Sequence, residues 1–138
     1  IIVGGMVETG TIDMLANALM DFTGDDVLFT MIILLVASAV ISSVLDNIPF
    51  VATMIPILLA MEGAGMDVTP LWWATSLGAC LGGNGTLIGA SCNVVISDIA
   101  AKNGNPISFV KYMKIGFPLM LLTVLIAGIY LYIVFQPV

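Results

Sequence analysis

Two stretches hold the residues able to do chemistry. The first is Asp46-Asn47, a carboxylate beside an amide, placed between two long apolar runs. A carboxylate in an apolar setting exchanges a proton or pairs with a cation. The amide oxygen of Asn47 could join it in coordinating Na⁺. The competing role for Asp46 is to cap the helix that begins near Pro49. The second stretch is Gly78-Ala79-Cys80-Leu81-Gly82-Gly83-Asn84-Gly85-Thr86-Leu87-Ile88-Gly89-Ala90-Ser91-Cys92-Asn93. Asn84, Thr86, Ser91 and Asn93 offer side-chain oxygens without charge. Five glycines lie within twelve of its residues. Each costs about 1 kcal/mol against Ala inside a helix, so a continuous helix is not expected here.

A break of this kind presents two helix ends at once. The carbonyls closing residues 71–80 suit a cation, and the amides opening residues 94–101 suit an anion or an electron-rich oxygen. The sequence alone leaves the sign of the solute open. Cys80 and Cys92 read as small apolar packing residues, with ligation of a metalloid by their thiols as the weaker reading. With no His and no zinc spacing, no metal site or cofactor is expected beyond a coupling ion. An intramembrane enzyme is disfavoured: there is no Ser/Lys pair near the break, and Asp46 has no second aspartate in a facing motif.

The elements that must position these residues are those of a membrane protein. Of 138 residues, 60% are hydrophobic and 9% are charged. Soluble domains carry about 25% charge. Three lysines and no arginine leave no nucleic-acid surface. Irregular backbone survives in a bilayer only where protein or a watery cavity surrounds it. A glycine-rich break between apolar helices therefore points to a discontinuous transport helix.

Taken in order, residues 1–5 read as the end of a span. Residues 11–22 read as a short amphipathic helix in the interface, with Thr11 as its N-cap and Ile12, Leu15, Ala16, Leu19 and Met20 as its apolar face. Residues 27–62 read as a re-entrant hairpin: an apolar arm over 27–45, a tip at Asp46-Asn47, a break at Pro49, and a shorter arm from Phe50 to Met61. The alternative lets 27–45 span fully and puts the tip at the far interface. Residues 70–102 read as the broken helix, interrupted at Gly82, Gly83 and Gly89, and opened by Trp72-Trp73 at the membrane surface. Residues 107–134 read as the final span. Lys102, Lys111 and Lys114 all fall near one connection, and most acidic residues fall on the other side. The positive-inside rule makes the 102–114 connection cytoplasmic and the C-terminus external. A multi-pass protein of the inner or plasma membrane is expected.

The run Ser43-Val44-Leu45-Asp46-Asn47-Ile48-Pro49-Phe50-Val51-Ala52-Thr53-Met54-Ile55-Pro56 resembles the hairpin of the ArsB/NhaD branch of the ion-transporter superfamily. Residues 78–95 resemble the broken-helix motif of the same group, which includes citrate-transporter-like permeases and the melanosomal P protein. Val3-Gly4-Gly5-Met6-Val7-Glu8-Thr9-Gly10 is similar to that group as well. The resemblance implies an all-α elevator-type carrier, a homodimer, in which two inverted repeats each give a hairpin and a discontinuous helix to one central site. This chain resembles the second repeat, so the first would have to supply the other half of the site. By resemblance the binding positions are Ser43, Asp46 and Asn47 at the tip and Asn84, Gly85, Thr86, Ser91 and Asn93 in the break.

The function expected is secondary active transport of an ion or small oxyanion, coupled to H⁺ or Na⁺. The alternatives are an arsenite or antimonite efflux permease, a Na⁺/H⁺ antiporter, and a membrane assembly subunit that transports nothing.

Overall fold

The computed structural model describes residues 9–24 and 26–136, and among these every regular element is a helix. Residues 1–5, expected to end a span, lie outside the described residues. Helix α1 covers Thr11–Thr23 and α2 Val27–Ser42, with their axes bent by 118°. Helix α3 covers Asn47–Gly63, α4 Thr69–Gly82, α5 Ser91–Lys102 and α6 Phe109–Phe135.

The helix ends follow from local chemistry, with two departures from the sequence reading. Thr11 is not the N-cap of α1. Gly10 holds that place at φ 70°, a left-handed conformation that glycine adopts without a Cβ penalty. Pro49 does not break the chain. It is the third residue of α3, in the first turn, where a missing N–H leaves no helical bond unmade. The second arm is therefore 17 residues rather than the twelve from Phe50 to Met61. Its length of about 25 Å approaches the hydrocarbon thickness. Asp26 caps α2 by accepting from the amides of Leu28 (3.0 Å) and Phe29 (3.2 Å). Asp67 accepts from the Thr69 amide at 3.0 Å, and bonding to Thr69 holds its carboxyl below the usual carboxylate range.

Helix α4 is the hub. Leu71, Ala74, Thr75, Gly78, Ala79 and Gly82 form one buried stripe at helical spacing. Helix α2 lies closest against α4, presenting Met31, Leu34, Leu35, Ser38, Ala39 and Ser42. Helices α3 and α6 also pack on α4, and α1 closes over α3 through Ala16. The two arms α2 and α3 barely touch along their lengths; they share α4 as a common partner. Helix α6, at 27 residues, is the one helix among the described residues long and apolar enough to cross a membrane unaided. It buries a narrow stripe of Met120, Val124, Ala127 and Leu131 and leaves the rest of its apolar surface outward. Helix α5 buries no residue at all.

Candidate ion and solute site

The site is built by close approach of backbones. A Cβ on Gly78 would stand 2.6 Å from the carbonyl oxygen of Leu35 and 2.7 Å from Cβ of Ser38. A Cβ on Gly82 would run into the carbonyl of Ala39. Gly78 and Gly82 are four apart, the small-xxx-small spacing that brings membrane helices together. Gly82 is thus the last residue of α4 and a packing residue, where the sequence suggested a break. Where α2 and α4 meet, the Ser42 hydroxyl donates to the carbonyl of Ala79 over 2.8 Å, fully buried. The two helix ends that lead into the tip and the break are pinned to each other.

Residues 83–90 then turn on themselves through backbone bonds, from the amide of Asn84 to Leu81 O (3.2 Å), of Gly85 to Gly82 O (2.8 Å) and of Gly89 to Thr86 O (3.3 Å). Gly83, Gly85 and Gly89 all keep ordinary negative φ. At Gly89 it is space that excludes a side chain, and at Gly85 the space is tight. A Cβ on Gly89 would lie 2.6 Å from Ser43 O, and one on Gly85 would lie 3.0 Å from Ser43 Cβ. The hairpin tip nests in the break. Thr86, 5% exposed, donates its hydroxyl to the carbonyl of Ser43. The Ser43 hydroxyl donates to Val40 O at 2.6 Å. Asn93 straps the start of α5 down, donating from Nδ2 to Gly83 O (2.9 Å) and Thr86 O (3.2 Å).

The eight expected site residues divide by what their polar atoms are doing. Ser43, Thr86 and Asn93 hold the junction together, and Gly85 gives it room. The side chains of Asp46, Asn47, Asn84 and Ser91 make no hydrogen bond across the junction among the described residues. Asp46 caps α3, its Oδ1 accepting from the Ile48 amide at 3.4 Å. These four do not share one cavity in this chain. Asn47 lines a hollow with Ser76 and Cys80, whereas Asn84 lines another against α6. Cys80 and Cys92 are both exposed, and no cluster of metal-ligating side chains occurs among the described residues.

The two helix ends facing the break are not electrically equivalent. The carbonyls of Ala79, Leu81, Gly82 and Gly83 already accept hydrogen bonds from the break or from Asn93. At the other end, α5 has no side-chain cap, and the amides of Ser91 and Cys92 have no backbone acceptor among the described residues. Uncapped amides favour negative charge.

Two residues of this junction escaped the sequence reading. Ser42 looked like any small polar interruption of an apolar run. Gly116 of α6 lies against the break, where a Cβ would stand 2.8 Å from Asn84 O. The four-residue spacing of Gly78 and Gly82 was an available signal that α4 meets another helix closely, without naming which one.

Comparison with known proteins gives the relationship. The chain is 42% identical over 136 residues to a "46 kDa membrane protein" of Mycobacterium leprae, covering 96% of this chain and 32% of that protein. It is 43% identical over 136 residues to an "Uncharacterized transporter" of Mycobacterium tuberculosis, with the same coverage. The P protein of Mus musculus is 52% identical over 99 residues, 70% of this chain and 12% of that protein. The chain thus spans about a third of the length of the mycobacterial relatives. No solved structure matches it. The sequence model described as "Citrate transporter" matches residues 1–138, and the chain belongs to that family of transporters.

Proposed function

We propose that this chain forms the second inverted repeat of an elevator-type secondary carrier that moves a small oxyanion, coupled to H⁺ or Na⁺. The observation that carries this reading is the interlocking of tip and break, with Thr86 bonded to the Ser43 carbonyl and Gly85 and Gly89 closed against Ser43. Two irregular backbone segments that pack this tightly hold each other where neither could stand in lipid. The uncapped amides of Ser91 and Cys92 support an anion over a cation on the break side, and the family description points to citrate as the first probe. Asp46 and Asn47 stand at the tip as the groups for the coupling ion. A first repeat of opposite orientation completes the site, and the whole carrier is a homodimer in the inner or plasma membrane. Its lysine-bearing 102–114 connection is cytoplasmic and its C-terminus external.

Asp46→Asn in the complete carrier tests the coupling role. Asn caps a helix as well as Asp does, so the substitution removes charge and keeps the α3 start. Citrate uptake into proteoliposomes should lose its dependence on pH or Na⁺ while the protein still inserts. Unchanged coupling would remove Asp46 from that role.

A further inference from the structure

A cavity of 370 Å³ opens beside the break, against the first turns of α6. Ligand pockets run from about 300 to 1,000 Å³, so it suits a solute of modest size. Asn84 forms one part of its wall, and Lys111, Tyr112, Gly116, Met120 and Thr123 of α6 form much of the rest. The Lys111 ammonium, the Tyr112 hydroxyl and the Asn84 side-chain amide make no hydrogen bond among the described residues. Lys111 is the one charged residue on this wall. The carboxylate of Asp98, on α5, is already paired with Lys102 at 2.6 Å. Lys114 lines a separate hollow with Met113, Phe117 and Pro118.

The cavity is continuous with the junction. A Cβ on Gly116 would stand 2.8 Å from Asn84 O and 3.0 Å from Tyr112 Cε1, so the glycine keeps the break and α6 in contact. Met120 lines the cavity, and its Cε lies 3.0 Å from where a Cβ on Gly85 would be. The polar residues of the wall are one cation, one phenol, one amide and the Thr123 hydroxyl, which already donates to Met120 O, with apolar walls for a carbon skeleton. That set recognises a carboxylate or a similar small oxyanion.

We propose that this cavity is a waiting site for an anionic solute, held by Lys111 and Tyr112 beside Asn84 before it reaches the break. The inference rests on the transport reading and adds to it an anion site outside the break. In the complete carrier, lysines are labelled with trinitrobenzenesulfonate in the presence of citrate, succinate or inorganic phosphate, and the sites are read by mass spectrometry. At least one of these anions should slow labelling of Lys111 and leave Lys114 unchanged. In flux measurements with the protecting anion, Lys111→Gln should raise KM about tenfold at constant kcat, the scale of one charge-assisted hydrogen bond. Lys111→Arg should keep most of the affinity, and Lys114→Gln should behave as wild type. Lys111 labelling indifferent to all three anions would overturn the inference, whatever the flux. An unchanged KM in Lys111→Gln would overturn it as well. Protection of Lys111 without flux of any anion would count against the transport reading and leave the site standing.

Discussion

Helices α4 and α5 flank the same break, and their fates are opposite. α4 buries a stripe from Leu71 to Gly82 and touches three other helices. α5 is comparably short, carries Val94, Val95, Ile96 and Ile99, and buries nothing. The lower apolar character of α5, which carries Asp98 and Lys102, does not by itself explain the difference. Small residues do: Gly78, Ala79 and Gly82 let the α4 backbone meet that of α2, where dispersion forces and a buried hydroxyl bond take hold. In a bilayer an exposed Val or Ile meets lipid tails of like polarity, so burying it gains little. Close packing of backbones gains more.

The largest test of this contrast is Gly82→Val. Its side chain would meet the Ala39 backbone, which has no rotamer to move away into. Overpacking of this sort costs about 1–3 kcal/mol, and the upper end is expected here. Thermal unfolding of the complete carrier in detergent should show the loss. A variant as stable as wild type would break the contrast.

Thr86→Val comes next. It leaves the Ser43 carbonyl buried without its donor, at a cost of about 1–3 kcal/mol. Flux should drop, and Thr86→Ser should restore most of it. Loss in Thr86→Ser with Thr86→Val unaffected would mean that the methyl group, not the hydroxyl, holds tip to break.

A smaller effect separates the two helix starts. Asp67, just ahead of α4, accepts from the Thr69 amide, and bonds to Thr69 hold its carboxyl below its usual range, whereas no side chain accepts from the first amides of α5 among the described residues. The folded carboxyl is the stronger acid. Its contribution is full above the unfolded pKa and fades as pH falls through the folded value. Amide exchange in the first turn of α4 should therefore quicken as pH is lowered toward that range, once corrected for intrinsic rates. Asp67→Asn should abolish the trend, and α5 should show none.

The smallest effect is expected on α5 itself. Ile96 is 60% exposed, so Ile96→Ala should change stability by less than about 0.5 kcal/mol. A loss near that of Gly82→Val would show that α5 is covered by another part of the carrier, and would sharpen the comparison into a statement about the assembled protein.

Much of this was legible in the residues. Helix α6 was readable from its long apolar run, and the break from its glycines and uncharged polar residues. The acidic tip at Asp46 stood out because so few charges occur nearby. The two arms of the hairpin were harder. Pro49 reads as a stop because proline lacks an N–H, yet the first turn of a helix asks for none. The eight candidate residues could be named, but not their division of labour. Ser43, Thr86 and Asn93 resemble ligands by type and act in this chain as clasps. A hydroxyl or amide serves either purpose, and only its neighbours decide.

By itself the sequence determined that the chain is helical and apolar, that one helix is broken, and where polar groups stand among apolar ones. Those properties follow from composition and local backbone preference, which each residue carries with it. The tertiary structure alone decided that Gly78 and Gly82 face α2, that Gly89 backs onto Ser43, and that Asn84 and Asn47 open onto different hollows. These depend on which backbones approach within contact distance. Contact between residues some forty positions apart is a property of packing that no local pattern encodes.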